Sequence, residues 1–231
     1  MSDINNSAVN SSVNTYDACP GADIVQESPL AWSYLNSGVP APGPSSRIVM
    51  REQAARDHLI LRGGAIVIDE AVRQVLGINL PARPQQLTLC DDGISSLQWL
   101  SPDEWLLIVP FGQAYNIELE LRAALGDASV AISEISGGQT LLELSGDADA
   151  LQQLLMKSVI YDTHPQHFPP GKGVTTVFAK TSLILRRPDD SRWELVVRRS
   201  FADYVYRWLL DAGDEFAIGV IRDGAQQGAS A

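Results

Sequence analysis

Apolar positions recur along this chain at two spacings. In residues 46–52, 58–62, 87–90, 95–100 and 104–109 they alternate with polar neighbours or run in short blocks, the mark of strands with at least one buried face. Ala71, Val72, Val75 and Leu76 instead fall at helical spacing, which predicts a helix over 69–76 stopped by Gly77. A second helix is predicted over 113–125, with its stop at Gly126. The theme then repeats. Strands are predicted over 130–135 and 140–144, followed by a helix over 147–157 that carries Leu151, Leu154 and Leu155 on one side and Ser145 and Asp147 as capping residues. A loop rich in Pro, His and Gly spans 161–173, and strands over 176–186 and 193–198 form a hairpin around Pro188, Asp189 and Asp190. Strands and helices joined by hairpin-type links predict an α+β fold of two similar sheet-plus-helix halves, rather than a doubly wound parallel sheet.

The last predicted helix lies in RSFADYVYRWLLDA, residues 199–212. Phe201, Tyr204, Val205, Trp208 and Leu209 recur at i, i+3, i+4, i+7 and i+8, so one face is apolar and aromatic and must be buried. Ser200 and Asp203 have the spacing of a capping box. Arg198 and Arg199 stand at the positive end of the helix dipole, where cations are unfavourable, so they call for a partner. Core packing explains the aromatic face. Large aromatic anchors beside arginine are also what protein interfaces favour.

Composition narrows the partners. The formal net charge of −11 offers little to nucleic acid or to an anionic membrane, because affinity for polyanions comes from Lys and Arg displacing counterions. Cys19 and Cys90 sit in unlike settings and form neither a disulfide framework nor a metal-binding pair, which fits a reducing cytoplasm. No apolar run approaches the roughly 20 residues needed to cross a bilayer, and no secretory signal is evident. Residues 1–26, rich in Asn and Ser, are read as a disordered tail. Residues 27–46, with Pro40, Pro42 and Pro44, are an extended lead-in. The compact domain is predicted over 47–212, divided at about 47–127 and 128–212, and 213–231 is a carboxy-terminal tail.

Candidate chemistry is sparse. Asp162, His164 and His167 combine carboxylate and imidazole groups suited to a divalent metal, but D-x-H-x-x-H is not a spacing that identifies a zinc site. Backbone-capping roles explain these residues as well. Ser136, Gly137 and Gly138 lie between two strands, with no helix following to supply an anion-binding dipole, so they are read as a turn. Gly171-Lys172-Gly173 likewise precedes a strand. No G-x-S-x-G elbow is present, and Cys90 has no evident base. Asp103 and Glu104 are paired carboxylates at a turn, flanked by Trp99 and Trp105, which are read as core residues.

Taken together and in order, WLSPDEWLL (99–107), ISGGQTLLELSGDAD (135–149), DTHPQHFPPG (162–171) and RSFADYVYRWLLDA resemble the gamma subunit family of heterotetrameric sarcosine oxidase over about 27–212. The strand, S-G-D-A, helix passage is also similar to folate-binding aminomethyltransferases of the glycine cleavage system, whose fold the resemblance implies. Those enzymes carry a carboxylate in a G-G-I-x-D-D strand. Here the comparable GVTTVFAKTSLIL has Ala179, Lys180 and Thr181 near that place, so the resemblance implies that the catalytic acid is missing. It further implies a complex that oxidatively demethylates sarcosine to glycine, reduces oxygen to hydrogen peroxide and passes the one-carbon unit to tetrahydrofolate. FAD, FMN, NAD, zinc and tetrahydrofolate would lie in the alpha, beta and delta partners and none in this chain. The implied role is a non-catalytic one that stabilises the assembly, with Arg198, Arg199, Phe201, Tyr204 and Trp208 as candidate partner contacts. A free-standing folate-binding or aminomethyl-transferring enzyme is the alternative, and a metal-dependent hydrolase using Asp162, His164 and His167 a third.

Overall fold

The computed structural model describes residues 27–36 and 38–222. In chain order the elements are α1 (Ala31–Asn36), β1 (Ile48–Glu52), β2 (Arg56–Arg62), α2 (Ala65–Leu76), β3 (Leu87–Leu89), β4 (Ser96–Ser101), β5 (Glu104–Pro110), α3 (Ala114–Leu125) and β6 (Ala131–Glu134). They continue as β7 (Gln139–Gly146), α4 (Ala148–Ser158), β8 (Lys172–Phe178), β9 (Thr181–Arg187), β10 (Arg192–Arg198), α5 (Ala202–Ala212) and β11 (Gly219–Arg222). Short 3-10 turns at Ser136–Gly138 and Arg199–Phe201 precede β7 and α5.

Two sheets result, a five-stranded one ordered β3-β4-β5-β2-β6 and a six-stranded one ordered β11-β1-β7-β10-β9-β8. The succession β-α-β-β-β-α occurs twice, from β2 to α3 and from β7 to α5, and its strands keep the same order in each sheet. In the second sheet β1 takes the place beside β7 that β6 takes beside β2. A division at 127/128 therefore does not separate the sheets, because β1 pairs with β7 and β6 pairs with β2.

Strand alternation sets the layers. In β10, Trp193, Leu195 and Val197 point to a core shared with α4 and α5, whereas Val196 points the other way, to meet Leu106 and Ile108 of β5 and Leu141 of β7. Leu59, Leu61, Leu97, Trp105 and Leu107 form a separate core with α2 and α3. The order of layers is helices, sheet, sheet, helices. Trp105 is buried, and its indole N–H donates to the Pro81 carbonyl at 3.0 Å, so its one polar atom keeps a partner. Trp99 packs partly buried against the same core.

Polar groups join the sheets. Arg186 and Glu194 face each other in register on β9 and β10, 3.0 Å apart and almost wholly buried, and Arg186 Nη2 also donates to Ser96 Oγ of the opposite sheet at 2.9 Å. Gln98 Nε2 reaches across to the Gly173 carbonyl at 3.0 Å, with its amide packed so close over Gly173 that any side chain there would collide with it.

Four expectations need correction. The lead-in contains a helix, α1, because Leu30 and Ser33 bury one side of it against the main body. The stretch 176–186 is two strands rather than one. Ala179 turns the chain at φ 48 between β8 and β9, and its N–H is held by the Ser158 carbonyl at 2.7 Å. Past 212 the chain is not simply a tail, because β11 adds to the sheet in parallel with β1, and Ile218 and Val220 are buried. The helix predicted over 69–76 starts four residues earlier, at Ala65, and Gly77 ends it as expected in the left-handed conformation at φ 71.

Candidate functional site

The structure divides the five candidate contact residues between two environments. Arg198 ends β10, opposite Gln139 of β7, and is exposed, as are Arg199 and Phe201 in the 3-10 turn that follows. Tyr204 and Trp208 lie one turn apart on α5, partly buried against the core shared with α4, and Trp208 Nε1 donates to Ser158 Oγ of α4 at 3.2 Å. The buried face of α5 is Ala202, Val205, Tyr206 and Leu209. The aromatic repeat at 201, 204 and 208 therefore lies to one side of the true core face, and Tyr206 is the aromatic residue that is fully enclosed. Periodicity placed Val205 and Leu209 correctly. It missed Tyr206 because the buried face runs through 202, 205, 206 and 209, and counting from Phe201 shifted the stripe by one position.

The expected capping box is absent from this site. Asp203 accepts from Ser33 Oγ and pairs with Arg207 at 2.9 Å, so its carboxylate ties α5 to α1 instead of capping backbone. Partial burial opposes ionisation of Asp203, but the Ser33 hydroxyl and Arg207 outweigh it and hold the carboxyl below the ordinary range. Among the described residues α5 has no side-chain cap, its N-cap position being Phe201 rather than Ser200, whereas Asp147 accepts from the Ala150 N–H at 2.8 Å and caps α4 as expected. Ser145 is a paired strand residue and takes no part in that cap. In the first half a remote residue does this work, as buried Asp57 of β2 accepts from the Ala114 N–H at 2.8 Å at the start of α3.

Arg199 turns from the helix and donates from Nη2 to the Glu27 carbonyl at 2.8 Å. An open cleft of about 760 Å³ lies here, between residues 27–32 and the two 3-10 turns, with Trp32, Gly137, Gly138, Arg199 and Ser200 on its walls. On α1, Trp32 and Leu35 are 63% and 81% exposed, three positions apart on the outward side, and Arg207 stacks over the Trp32 ring at 5.8 Å. Reading 27–46 as extended concealed these two residues. The signal that would have found them is the helical alternation of Leu30 and Ser33 inward with Trp32 and Leu35 outward.

Below the cleft is the buried Glu52, which accepts from Ser28 Oγ and from Thr140 Oγ1 at 3.0 Å. Burial pushes its carboxyl up, against the pull of those hydroxyls and of Arg199. His58 is also buried. Its Nδ1 contacts the Arg56 carbonyl at 3.1 Å, its Nε2 has no partner among the described residues, and burial, reinforced by the charge of Arg186, lowers its pKa to about 4. Burial and the neighbouring Asp92 and Asp91 push the Cys90 thiol up to about 11, so it remains a thiol at neutral pH.

The loop at 162–167 borders a second open cleft, of about 550 Å³. His167 Nε2 is 3.7 Å from Asp162, while Asp162 accepts the His164 N–H and His164 Nδ1 accepts the Gln166 N–H. These are the backbone-capping roles. Among the described residues no group of three His, Cys, Asp or Glu side chains is placed to hold a metal ion, and no helix is long and apolar enough to cross a membrane.

Two sheets packed face to face, with helices on their outer sides, define an α+β fold. The aminomethyltransferase T of the glycine cleavage system from Bartonella henselae matches 86% of this chain and 60% of its own at a TM-score of 0.62, with 13% identity, a likeness of fold. The chain belongs to the sarcosine oxidase gamma subunit family, whose model matches residues 63–215. It is 37% identical over 155 residues, 67% of this chain and 72% of the relative, to sarcosine oxidase subunit gamma of Corynebacterium sp. strain P-1. The match to the Arthrobacter sp. subunit gamma is 35% over 147 residues, 64% of this chain and 70% of the relative. A chain of the heterotetrameric sarcosine oxidase from Corynebacterium sp. U-96 superposes at a TM-score of 0.70 with 29% identity, covering 84% of this chain and 97% of that one.

Proposed function

We propose that this chain is the gamma subunit of a cytoplasmic heterotetrameric sarcosine oxidase and that it stabilises the assembly without itself carrying out chemistry. The complex would oxidatively demethylate sarcosine to glycine, with hydrogen peroxide and 5,10-methylenetetrahydrofolate as the other products. FAD, FMN, NAD, zinc and tetrahydrofolate would be held by alpha, beta and delta partners.

The observation that carries the non-catalytic reading is the way the buried ionisable groups at the sheet interface and below the cleft are already committed. Arg186 and Glu194 neutralise each other in the interior, His58 is walled off between the sheets, and the Glu52 carboxyl accepts from two hydroxyls. On the resemblance to folate-binding aminomethyltransferases, Ala179 and Lys180 in the turn between β8 and β9 stand near the place where those enzymes carry a carboxylate. Exposed Arg198, Arg199 and Phe201 remain the candidate partner contacts. Tyr204 and Trp208 support that edge from the α4–α5 packing.

The test is to express the full chain alone and with its companion subunits. Alone, it should be colourless, retain no tetrahydrofolate and leave sarcosine unoxidised. Leaving it out of the co-expression should lower the yield of assembled, flavin-bearing complex. Tetrahydrofolate binding by the isolated chain would contradict this reading and favour a free-standing aminomethyltransferase-like enzyme.

A further inference from the structure

The cleft beside α1 joins features that are separate elsewhere on the surface. Trp32 and Leu35 project from a helix whose opposite side is fixed by buried Leu30 and Ser33, so their exposure is a property of a firmly held element. Four attachments hold that segment in place: Ser28 to Glu52, Ser33 to Asp203, Arg199 to the Glu27 carbonyl at 2.8 Å, and Arg222 to the Tyr34 carbonyl at 2.7 Å. A large aromatic side chain kept outward by a pinned scaffold loses little conformational entropy on contact, which is the condition for an interface anchor.

Charge identifies the occupant. The chain is strongly acidic, at −11, and Arg47, Arg62, Arg122, Arg187, Arg192 and Arg207 each face a carboxylate of the same molecule. Among the described residues Arg198 and Arg199 make no ion pair: Arg199 donates to the Glu27 carbonyl and acts on the buried Glu52 only through its charge, and Arg198 makes no side-chain hydrogen bond. The exposed Arg199 and the exposed indole of Trp32 line the same cleft, and exposed Arg198 is next to Arg199 in the chain, a set that complements a segment bringing a carboxylate next to an apolar side chain.

We propose that the cleft between α1 and the two 3-10 turns docks an acidic segment of a companion subunit, with Trp32 as its apolar anchor and Arg198 and Arg199 as its carboxylate partners. The proposal rests on the reading of this chain as a subunit of a larger oxidase. It adds Trp32 and Leu35 to the contact surface, assigns Arg198 and Arg199 a ligand of stated chemistry, and leaves Tyr204 and Trp208 as internal supports.

The test titrates full-length chain into the companion subunits expressed without it. Four forms are compared: wild type, Trp32→Ala, the double variant Arg198→Glu with Arg199→Glu, and Ile66→Ala. The last removes an 85% exposed side chain from α2 and leaves the cleft intact. The expected result is a loss of about ten-fold or more in affinity for Trp32→Ala and for the arginine variant, with a flatter salt dependence in the latter, and no change for Ile66→Ala. Thermal unfolding midpoints equal to wild type would show that folding is intact. If wild type binds and both cleft variants bind equally well, the docking site is overturned while the subunit reading stands. If wild type itself does not bind, the subunit reading fails. A dimer of the isolated chain that Trp32→Ala dissolves would make a second copy the occupant and overturn the proposal. So would tighter binding on deletion of residues 1–26 that Trp32→Ala reproduces, since the amino-terminal segment would then fill the cleft.

Discussion

The two halves of the molecule share one succession of elements and one strand order, yet they close their sheets differently. In the first, β6 lies beside β2 as the sheet edge, and Asp57 of β2 caps the helix that follows β5. In the second, that place beside β7 goes to β1, from earlier in the chain, with β11 from its far end added outside. The helix that follows β10 begins through an exposed 3-10 turn, and its Asp203 is tied to Ser33 of α1. The first half completes itself with neighbouring sequence. The second is completed by both ends of the described chain, and Trp32, Arg198, Arg199 and Phe201 are exposed in the region where the amino-terminal one meets it. One succession of elements is thus closed by neighbouring sequence in the first sheet and by segments distant in the chain in the second.

The largest expected effect separates what belongs to both halves from what belongs to one. Glu194→Ala leaves Arg186 buried between the sheets without its carboxylate and should cost about 3–5 kcal/mol of unfolding free energy in denaturant titration, whereas Arg192→Ala, half-buried at the start of the same strand, should cost about 1 kcal/mol. Equal small losses would show that the sheets do not depend on the buried pair.

Next comes pH. His58 has a folded pKa lowered to about 4 from an ordinary 6.5, so between those values the unfolded chain binds more protons than the folded one. Its contribution is present above pH 6.5 and is lost as pH falls toward 4, an effect on the order of 3 kcal/mol. His58→Gln should therefore flatten the fall of stability across that window. An unchanged slope would place the titration elsewhere.

A smaller effect contrasts the two helix starts. Asp57→Ala removes the buried cap of α3 and should lower stability by about 1–2 kcal/mol, while Ser200→Ala, ahead of α5, should change it by less than about 0.5 kcal/mol. The reverse ranking would restore the capping box read from the sequence. Smallest of all, Tyr206→Phe should be close to neutral or slightly stabilising, because the buried hydroxyl has no partner among the described residues.

What was legible in the sequence follows from how local each signal is. Strands β2, β5 and β10, helices α3 and α4, and the stops at Gly77 and Gly126 were readable because short-range periodicity and glycine chemistry decide them. The turn at Ala179 was not, since alanine gives no sign of a positive φ that is held by a hydrogen bond to Ser158. Neither was β11, a strand of four residues that exists because β1 offers it an edge. Beside the cleft the arginines were visible as unexplained charges. Trp32 was missed because α1 is six residues long and owes its shape to Leu30, Ser33 and their burial against the second half.

The central claim is that this chain works as a non-catalytic member of a larger flavoprotein. The most direct measurement is purification of the tagged full chain from its native cells, with mass spectrometry of the co-purifying chains and a visible absorption spectrum. The account predicts three companion chains and a flavin spectrum that stays with those chains when this one is dissociated. A colourless protein recovered alone, or flavin that follows this chain after dissociation, would contradict it.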